Sequence, residues 1–222
     1  FVIIYSCFLF IPSAVINSEK VRQKLEKSIY QKTGMVINLE NPRLQVSPML
    51  VYKFDADRIV ARDKENNQAV LIEKISCTVD IKYLKFENLY ADDIFVDGDA
   101  VRKIFGKRKN KPVKYNFNKL PEFGIKNFVY KSDDFILSLR DMSYNDKKLA
   151  FDADIDSYML DEDIFIHGAL FELRGKKFFA DNVEVNLGKS KIVISGDIYG
   201  GKDFFAKGFD LPVSDLEKTL LY

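Results

Sequence analysis

Paired carboxylates are the first residues of this sequence that could do chemistry, because two neighbouring acids can share general-acid and general-base roles. Three such groups are present: Asp92-Asp93, Asp133-Asp134 and Asp161-Glu162-Asp163. Each is predicted at a strand edge or in a turn, where acidic residues are common. Adjacent acids form a catalytic pair only where the surroundings raise a pKa, and nothing in these segments indicates that. The sequence therefore predicts no catalytic residue among them.

The remaining reactive side chains are few. His167 is the only histidine, in the segment DIFIHGAL, and the two cysteines, Cys7 and Cys77, are far apart. Two thiols and one imidazole cannot complete a metal-ligand set. His167 is predicted as a half-exposed strand residue, with general-base work as the alternative. We therefore predict no metal, no cofactor, no disulfide and no enzymatic activity.

The tripeptide Gly188-Lys189-Ser190 has the ending of a phosphate-binding loop. Such a loop also needs a glycine five residues before Gly188, where Val183 stands, and a helix after the serine. Residues 191–194, KIVI, favour a strand instead. The tripeptide is therefore predicted as a hairpin turn and not as a nucleotide site.

Composition and charge exclude other classes of function. The 222 residues are 47% hydrophobic and 30% charged, which is typical of a folded chain of one or two domains. The net charge of +1 gives no strongly basic surface, so nucleic acid is not expected as a partner. Nineteen Phe and 11 Tyr residues favour half-buried strands.

The elements that carry these residues are best seen in residues 135–156, FILSLRDMSYNDKKLAFDADID. Apolar and polar residues alternate on both sides of a polar turn at 145–148, which predicts strands with one dry and one wet face. The dry face must either meet a second sheet, as in a sandwich, or form an open apolar trough, and both remain open. The residues predicted to line a lipid groove on this face are Leu137, Leu139, Leu149, Phe151, Ile155, Val183, Val185 and Leu187.

Similar segments, bounded by Asn, Asp, Gly, Lys or Pro, recur about every ten residues from MVINLE to DFFAKGFDL. The predicted fold is mainly all-β: a long curved antiparallel sheet or gutter of about ten or more strands. A short amphipathic helix is predicted at residues 18–33. Asn17 and Ser18 can cap it, and Gly34 ends it.

The opening FVIIYSCFLFIPSAVI is uncharged for 16 residues. A membrane-spanning helix needs about 20 apolar residues, so residues 1–17 are predicted as a transmembrane anchor that is truncated at its start. A secretory signal peptide, with small residues at 13–15, is the alternative. The anchor residues are Val2, Ile3, Ile4, Phe8, Leu9 and Phe10.

Residues 102–118, RKIFGKRKNKPVKYNFN, interrupt the alternation with a basic run. They are predicted as a loop, with a membrane-headgroup patch as the alternative. The chain is thereby divided into the anchor at 1–17, the helix and first part of the gutter at 18–101, the basic loop at 102–118, and the continuing gutter at 119–222.

Several segments follow one another along the chain: the apolar span, the helix ending in KTGMVINLE, the segments PRLQVSPMLVYKFDADRIVARD and VLIEKISCTVDIKYLKFENLYADDIFVDG, and the later stretch SKIVISGDIYGGKDFFAKGFDLPVSDLEKTL. In this order they resemble the AsmA-like family of envelope proteins. These motifs cover nearly the whole chain but are degenerate. Family members are commonly much longer, so the chain is expected to be a fragment or a short member that works with partners.

The resemblance implies a protein tethered to the bacterial inner membrane by a single span, with most of the chain in the periplasm. It also implies kinship with TamB-like and chorein-type bridge proteins, whose β-gutters carry phospholipids and support outer-membrane lipid homeostasis. The partners expected are membrane phospholipids, the inner membrane, and outer-membrane or periplasmic proteins. The alternative is a structural or assembly factor for outer-membrane protein biogenesis that grips strands by its sheet edges.

Overall fold

A computed structural model describes residues 18–47, 51–80, 85–105, 120–160, 162–175, 177–197 and 205–209. The helices of the described residues are α1 (Glu19–Thr33) and α2 (Gly98–Phe105). The first strands are β1 (Val36–Glu40), β2 (Arg43–Val46), β3 (Val51–Arg62), β4 (Gln68–Asp80), β5 (Lys85–Asp97) and β6 (Glu122–Lys131). The later strands are β7 (Phe135–Asn145), β8 (Lys148–Ser157), β9 (Ile164–Arg174), β10 (Lys177–Leu187), β11 (Ser190–Asp197) and β12 (Phe205–Phe209).

All twelve strands belong to one sheet, whose spatial order follows the chain. From β3 to β12 each strand pairs with the next, while β1 and β2 lie end to end along the outer side of β3. The prediction of a mainly β chain with one long antiparallel sheet of ten or more strands is therefore confirmed. Within the described residues no second sheet covers the first.

One pair of strands departs from the predicted antiparallel meander. β5 and β6 are parallel, with Leu89 opposite Phe123 and Ile94 opposite Phe128. Residues 98–121, which include the predicted basic loop, connect the end of β5 to the start of β6 along the chain. Because β5 and β6 are hydrogen-bonded neighbours, the same sheet continues on both sides of that segment.

The helices flank the sheet. α1 confirms the helix predicted at 18–33; it ends at Gly34, which has φ +77° and donates its backbone N–H to the Tyr30 carbonyl at 2.8 Å. α2 was not predicted, and residues 102–105, expected to begin a loop, are its last turn. Its start is stabilised by Asp97, whose Oδ1 accepts the backbone N–H groups of Asp99 (3.0 Å) and Ala100 (2.8 Å).

The predicted membrane anchor, residues 1–17, lies outside the described residues, as do its side chains Val2, Ile3, Ile4, Phe8, Leu9 and Phe10. Within the described part of the chain no helix has both the length and the apolar character that a membrane span requires. The bilayer assignment therefore stays a prediction.

The cap of α2 gives a first test. Replacing Asp97 with Ala removes the oxygen that accepts two helix N–H groups, and we expect the free energy of unfolding to fall by about 1 kcal/mol. The measurement is chemical denaturation, with amide exchange at Asp99 and Ala100 as the local readout. Asp97→Asn keeps an acceptor oxygen and should lose less stability. Equal losses in the two variants would show that the cap does not stabilise α2.

Candidate apolar binding face

The eight residues predicted to line a groove lie on one side of the sheet. Cross-strand partners share a face, and the register places Leu137 opposite Ile155. On the other side of β8, Leu149 lies opposite Phe171, and further along the sheet the β9 residues Ile166 and Ile164 lie opposite Val185 and Leu187. We call this side of the sheet the apolar face and the opposite side the polar face.

The apolar face continues across nine neighbouring strands, from β3 to β11. Following the register from strand to strand, its side chains are almost all aliphatic or aromatic. Besides the predicted residues it includes Tyr52, Phe54, Ala56, Ile59, Val70, Ile72, Ile75, Cys77, Leu89, Ala91, Ile94, Val96, Phe123, Ile125, Phe128, Tyr130, Met142, Tyr144, Ala153, Ala169, Leu173, Phe178, Ala180, Ile192 and Ile194.

Most large side chains on this face are only partly buried. Seven of the eight predicted residues are only half-buried, and the exception is Val183, at 3% exposed. Val183 packs in a small cluster with Ala169 and Ala180, against which Phe151 also lies. In a core between two layers, large apolar residues are usually the most completely buried. Here the small residues are covered by their neighbours, while most of the large side chains keep part of their surface exposed. The large residues of this face that are buried as well are Ile125, Tyr144, Leu173 and Phe178.

The apolar–polar alternation is interrupted in the middle of seven strands, and in three strand pairs a β-bulge shifts the register there. Two consecutive residues then point to the polar face, and the apolar residues on either side are three positions apart instead of two. The seven segments with this pattern are 56–59 (ADRI), 72–75 (IEKI), 91–94 (ADDI), 125–128 (IKNF), 139–142 (LRDM), 166–169 (IHGA) and 180–183 (ADNV).

These interruptions align across the sheet in one row, which we call the bulge line. Where both strands of a pair have one, the register is continuous across the row; where only one does, as in the pairs β7–β8, β8–β9 and β10–β11, the register shifts there by one residue. The backbone is left-handed at five points of the row. These are Asn41 (φ 48°), Lys74 (φ 49°), Asp141 (φ 49°), Gly168 (φ 58°) and Asn182 (φ 53°).

Polar contacts on the polar face link neighbouring strands along the bulge line. At the edge formed by β1 and β2, Asn41 Nδ2 donates to Asp57 Oδ2 at 2.8 Å. At the other side, the backbone N–H of Gly168 donates to Asp152 Oδ1 at 2.5 Å. Further along, the Ser195 hydroxyl lies 3.0 Å from Asn182 Oδ1. The bulged backbone is thus held by side chains of the adjacent strand.

The central contacts involve the acid pair Asp92-Asp93, which lies in the middle of β5 and not at a strand edge as predicted. Asp92 forms ion pairs with Lys74 Nζ at 2.9 Å and Lys126 Nζ at 2.7 Å. Asp93 accepts a hydrogen bond from Asn127 Nδ2 at 2.7 Å. Hydrogen bonds from Lys126 and Lys74 lower the pKa of Asp92. The pair thus joins β4, β5 and β6, with Asp92 held ionised.

Other residues considered for chemistry are placed as follows. His167 is exposed on β9, its ring stacked parallel to that of Phe165 at 6.4 Å. Cys77 lies half-buried on the apolar face, where burial raises the pKa of its thiol. Gly188 and Lys189 form the predicted hairpin turn between β10 and β11. The described residues contain no group of three or more His, Cys, Asp or Glu side chains that could hold a metal ion.

Comparison of the chain with family models, curated proteins and solved structures returns no match of any of the three kinds. The features available for a functional inference are therefore the chain's own. The most extensive of them is a single sheet with one apolar face, crossed by the bulge line.

Sequence reasoning missed the bulge line because it treated each strand as a continuous alternation. The signal is present, since six strand segments contain two adjacent polar residues between apolar ones and a seventh contains His167-Gly168. In a single strand this spacing does not differ from an ordinary irregularity of the alternation. Only its recurrence at the centre of successive strands indicates a common bend.

The ion pairs of Asp92 predict a pH dependence. A carboxylate whose pKa is lowered by folding stabilises the protein above its unfolded-state pKa, and this contribution is lost as pH falls through the folded-state pKa. We therefore expect Asp92→Asn to lower the free energy of unfolding at neutral pH. The difference from the unsubstituted chain should shrink as pH falls below the ordinary value of 3.8. Urea denaturation between pH 7 and pH 2 measures it.

The same effect should depend on the lysine partners. In a Lys126→Met background, Asp92→Asn should cost less at neutral pH because one of the two cations is already absent. An unchanged cost would show that the lysine does not stabilise Asp92.

Gly168 tests the backbone of the bulge line. An added Cβ there meets no atom within 4 Å, so a substitution is limited by the positive φ and not by space. Because a left-handed backbone costs an L-residue roughly 1–2 kcal/mol, we expect Gly168→Val to lower the free energy of unfolding by about that amount. Gly168→Asn should lose less, since Asn tolerates this conformation. Equal losses in urea denaturation would contradict the assigned backbone.

Proposed function

We propose that this chain binds phospholipids without catalysis, holding their acyl chains on the apolar face. The proposal includes lipid transfer within the bacterial cell envelope, in support of outer-membrane lipid homeostasis. It follows the expectation from the AsmA-like resemblance, and we propose membership of that family together with inner-membrane attachment and a periplasmic location for most of the chain.

The observation that carries the proposal is the half-buried state of most large apolar side chains on one face of the sheet. Leu137, Leu139, Phe151 and Ile155 keep part of their surface exposed, and the described residues supply no second layer to cover them. Contiguous exposed apolar surface of this extent usually marks a place where a ligand, membrane or partner binds. A surface that spans nine strands suits a long flexible chain better than a compact molecule.

The energetics are consistent with a lipid ligand. Each methylene removed from water contributes about 0.8 kcal/mol, so two acyl chains on the apolar face would offset much of the cost of leaving a bilayer. The opposite face presents polar and charged groups such as Ser138, Asp154 and Arg140 to water. One side of the sheet can therefore stay hydrated while the other is covered by lipid.

The assembly-factor alternative stays a prediction. Its site would be the edges of the sheet, β1 with β2 at one end and β12 at the other. Binding of a client strand at an edge uses the backbone N–H and C=O groups of the edge strand and does not require a continuous apolar face.

The test of the proposal uses the two faces of the same strands. A photoreactive phenylalanine analogue is introduced singly into the full chain at Leu137 or Ile155, which are partners on the apolar face, and at Ser138 or Asp154, which are partners on the polar face. The protein is incubated with vesicles of phosphatidylethanolamine and phosphatidylglycerol, irradiated, and analysed by mass spectrometry. We expect phospholipid adducts at Leu137 and Ile155, and only background at Ser138 and Asp154.

Thermal unfolding of each variant provides the folding control. Folded variants without adducts at Leu137 and Ile155 would contradict lipid binding on the apolar face. Equal adduct yields on both faces would also contradict it, because they would indicate adsorption to vesicles without a site. Each apolar-face position is compared with a polar-face position in the same strand. The efficiency with which the analogue is incorporated and the local mobility of the backbone should therefore be similar at the two positions.

A further inference from the structure

We infer that bound acyl chains lie across the strands, along the bulge line, and not parallel to the strands. This inference rests on the proposed lipid binding and adds the direction of the ligand within the site. It follows from the bend that the bulges impose, from where the buried residues lie, and from the continuity of the apolar surface along the line.

The first step is the effect of the bulges on the shape of each strand. A bulge places two consecutive side chains on the polar face, for example Arg140 with Asp141 and Asp181 with Asn182, so that face gains a residue relative to the apolar face. The strand then bends, with the longer polar side outward and the apolar side inward. Because the bulges occupy one row, the bends act together and fold the apolar face into a trough whose axis crosses the strands.

The burial of small residues agrees with an inward bend. Five alanines lie on the apolar face next to the bulge line, on β3, β5, β8, β9 and β10, and all are buried, at 0–5% exposed. Larger side chains from both halves of the strands converge above them, as in the cluster where Phe151, Ile166 and Phe171 pack around Ala169. Small residues are needed where two inclined surfaces meet. These alanines are Ala56, Ala91, Ala153, Ala169 and Ala180.

The second step compares the two directions open to a ligand. From β3 to β11 the trough extends about 38 Å, given the usual spacing of about 4.8 Å between strands. An acyl chain along this axis keeps contact with one apolar side chain after another on successive strands. A chain parallel to the strands must cross the bend and leave one of the two inclined halves. Contact area therefore favours the axis of the trough.

The experiment maps one acyl chain directly. Phosphatidylethanolamine with a diazirine at the middle of one acyl chain is incorporated into vesicles, incubated with the full chain and photolysed, and labelled residues are identified by peptide mass spectrometry. We expect labels beside the bulge line on several strands, at Ile75, Ile94, Phe128 and Met142. Apolar-face residues near the strand ends, Tyr52, Phe135 and Leu187, should be labelled several-fold less.

A matched pair of substitutions tests the trough itself. Ala153→Leu adds bulk at the base of the trough, and Ala150→Leu adds the same bulk to the polar face of the same strand. The first should reduce labelling along the bulge line several-fold, and the second should leave it unchanged. If Ala153→Leu does not fold, the labelling map of the unsubstituted chain decides the question alone.

The outcomes separate the direction of the ligand from the proposed function. Labels confined to the apolar face but equally strong at the strand ends and at the bulge line would overturn the inferred direction while lipid binding stands. Absence of labels from the apolar face would overturn both. Labels beside the line, lost in Ala153→Leu and retained in Ala150→Leu, support the inference.

Discussion

The structure depends on keeping apolar side chains on one face of the sheet, although the apolar–polar alternation of most strands is interrupted at the bulge line. In a strand, one extra residue moves every later side chain to the opposite face. The apolar face survives here because the sequence changes its polar pattern at the same place as the backbone, as in Leu139-Arg140-Asp141-Met142. Where a strand has no bulge, as in β8, the register shifts against both neighbours and restores the match. Side-chain pattern and register therefore constrain each other throughout the sheet.

The polar face has a corresponding role, because a row of bulges leaves backbone groups displaced from the ideal ladder. Polar side chains of neighbouring strands contact these groups, and two ion pairs lie where the only parallel pair of the described sheet occurs. Asp92 on β5 contacts a lysine on β4 and another on β6, so one carboxylate connects strands on both sides of it. The charges that first suggested acid–base chemistry instead join the part of the sheet before α2 to the part after it.

Sequence reasoning could predict much of this fold, since α1 and every strand segment have clear local signals. It missed α2, a short helix whose cap, Asp97, is also the last residue of a long strand. It missed the parallel pair because pairing direction depends on the path of the chain between strands. The alternation of the sequence correctly predicted which residues of a strand share the apolar side, and the register places Leu137 and Phe151 together on that face. Their half-buried state was not readable, because it depends on whether distant strands form a second layer.

The order of strands in the sheet matches their order along the chain, and this has a consequence for how such a protein can change in size. Each strand depends mainly on its two neighbours, as a unit does in a linear array. A hairpin such as β7–β8 adds the same kind of apolar surface as the pair before it. Hairpin units can therefore be gained or lost in evolution without rearranging the remaining strands, provided that each hairpin matches its neighbours in register at the bulge line. The area of the apolar face would then scale with the number of units.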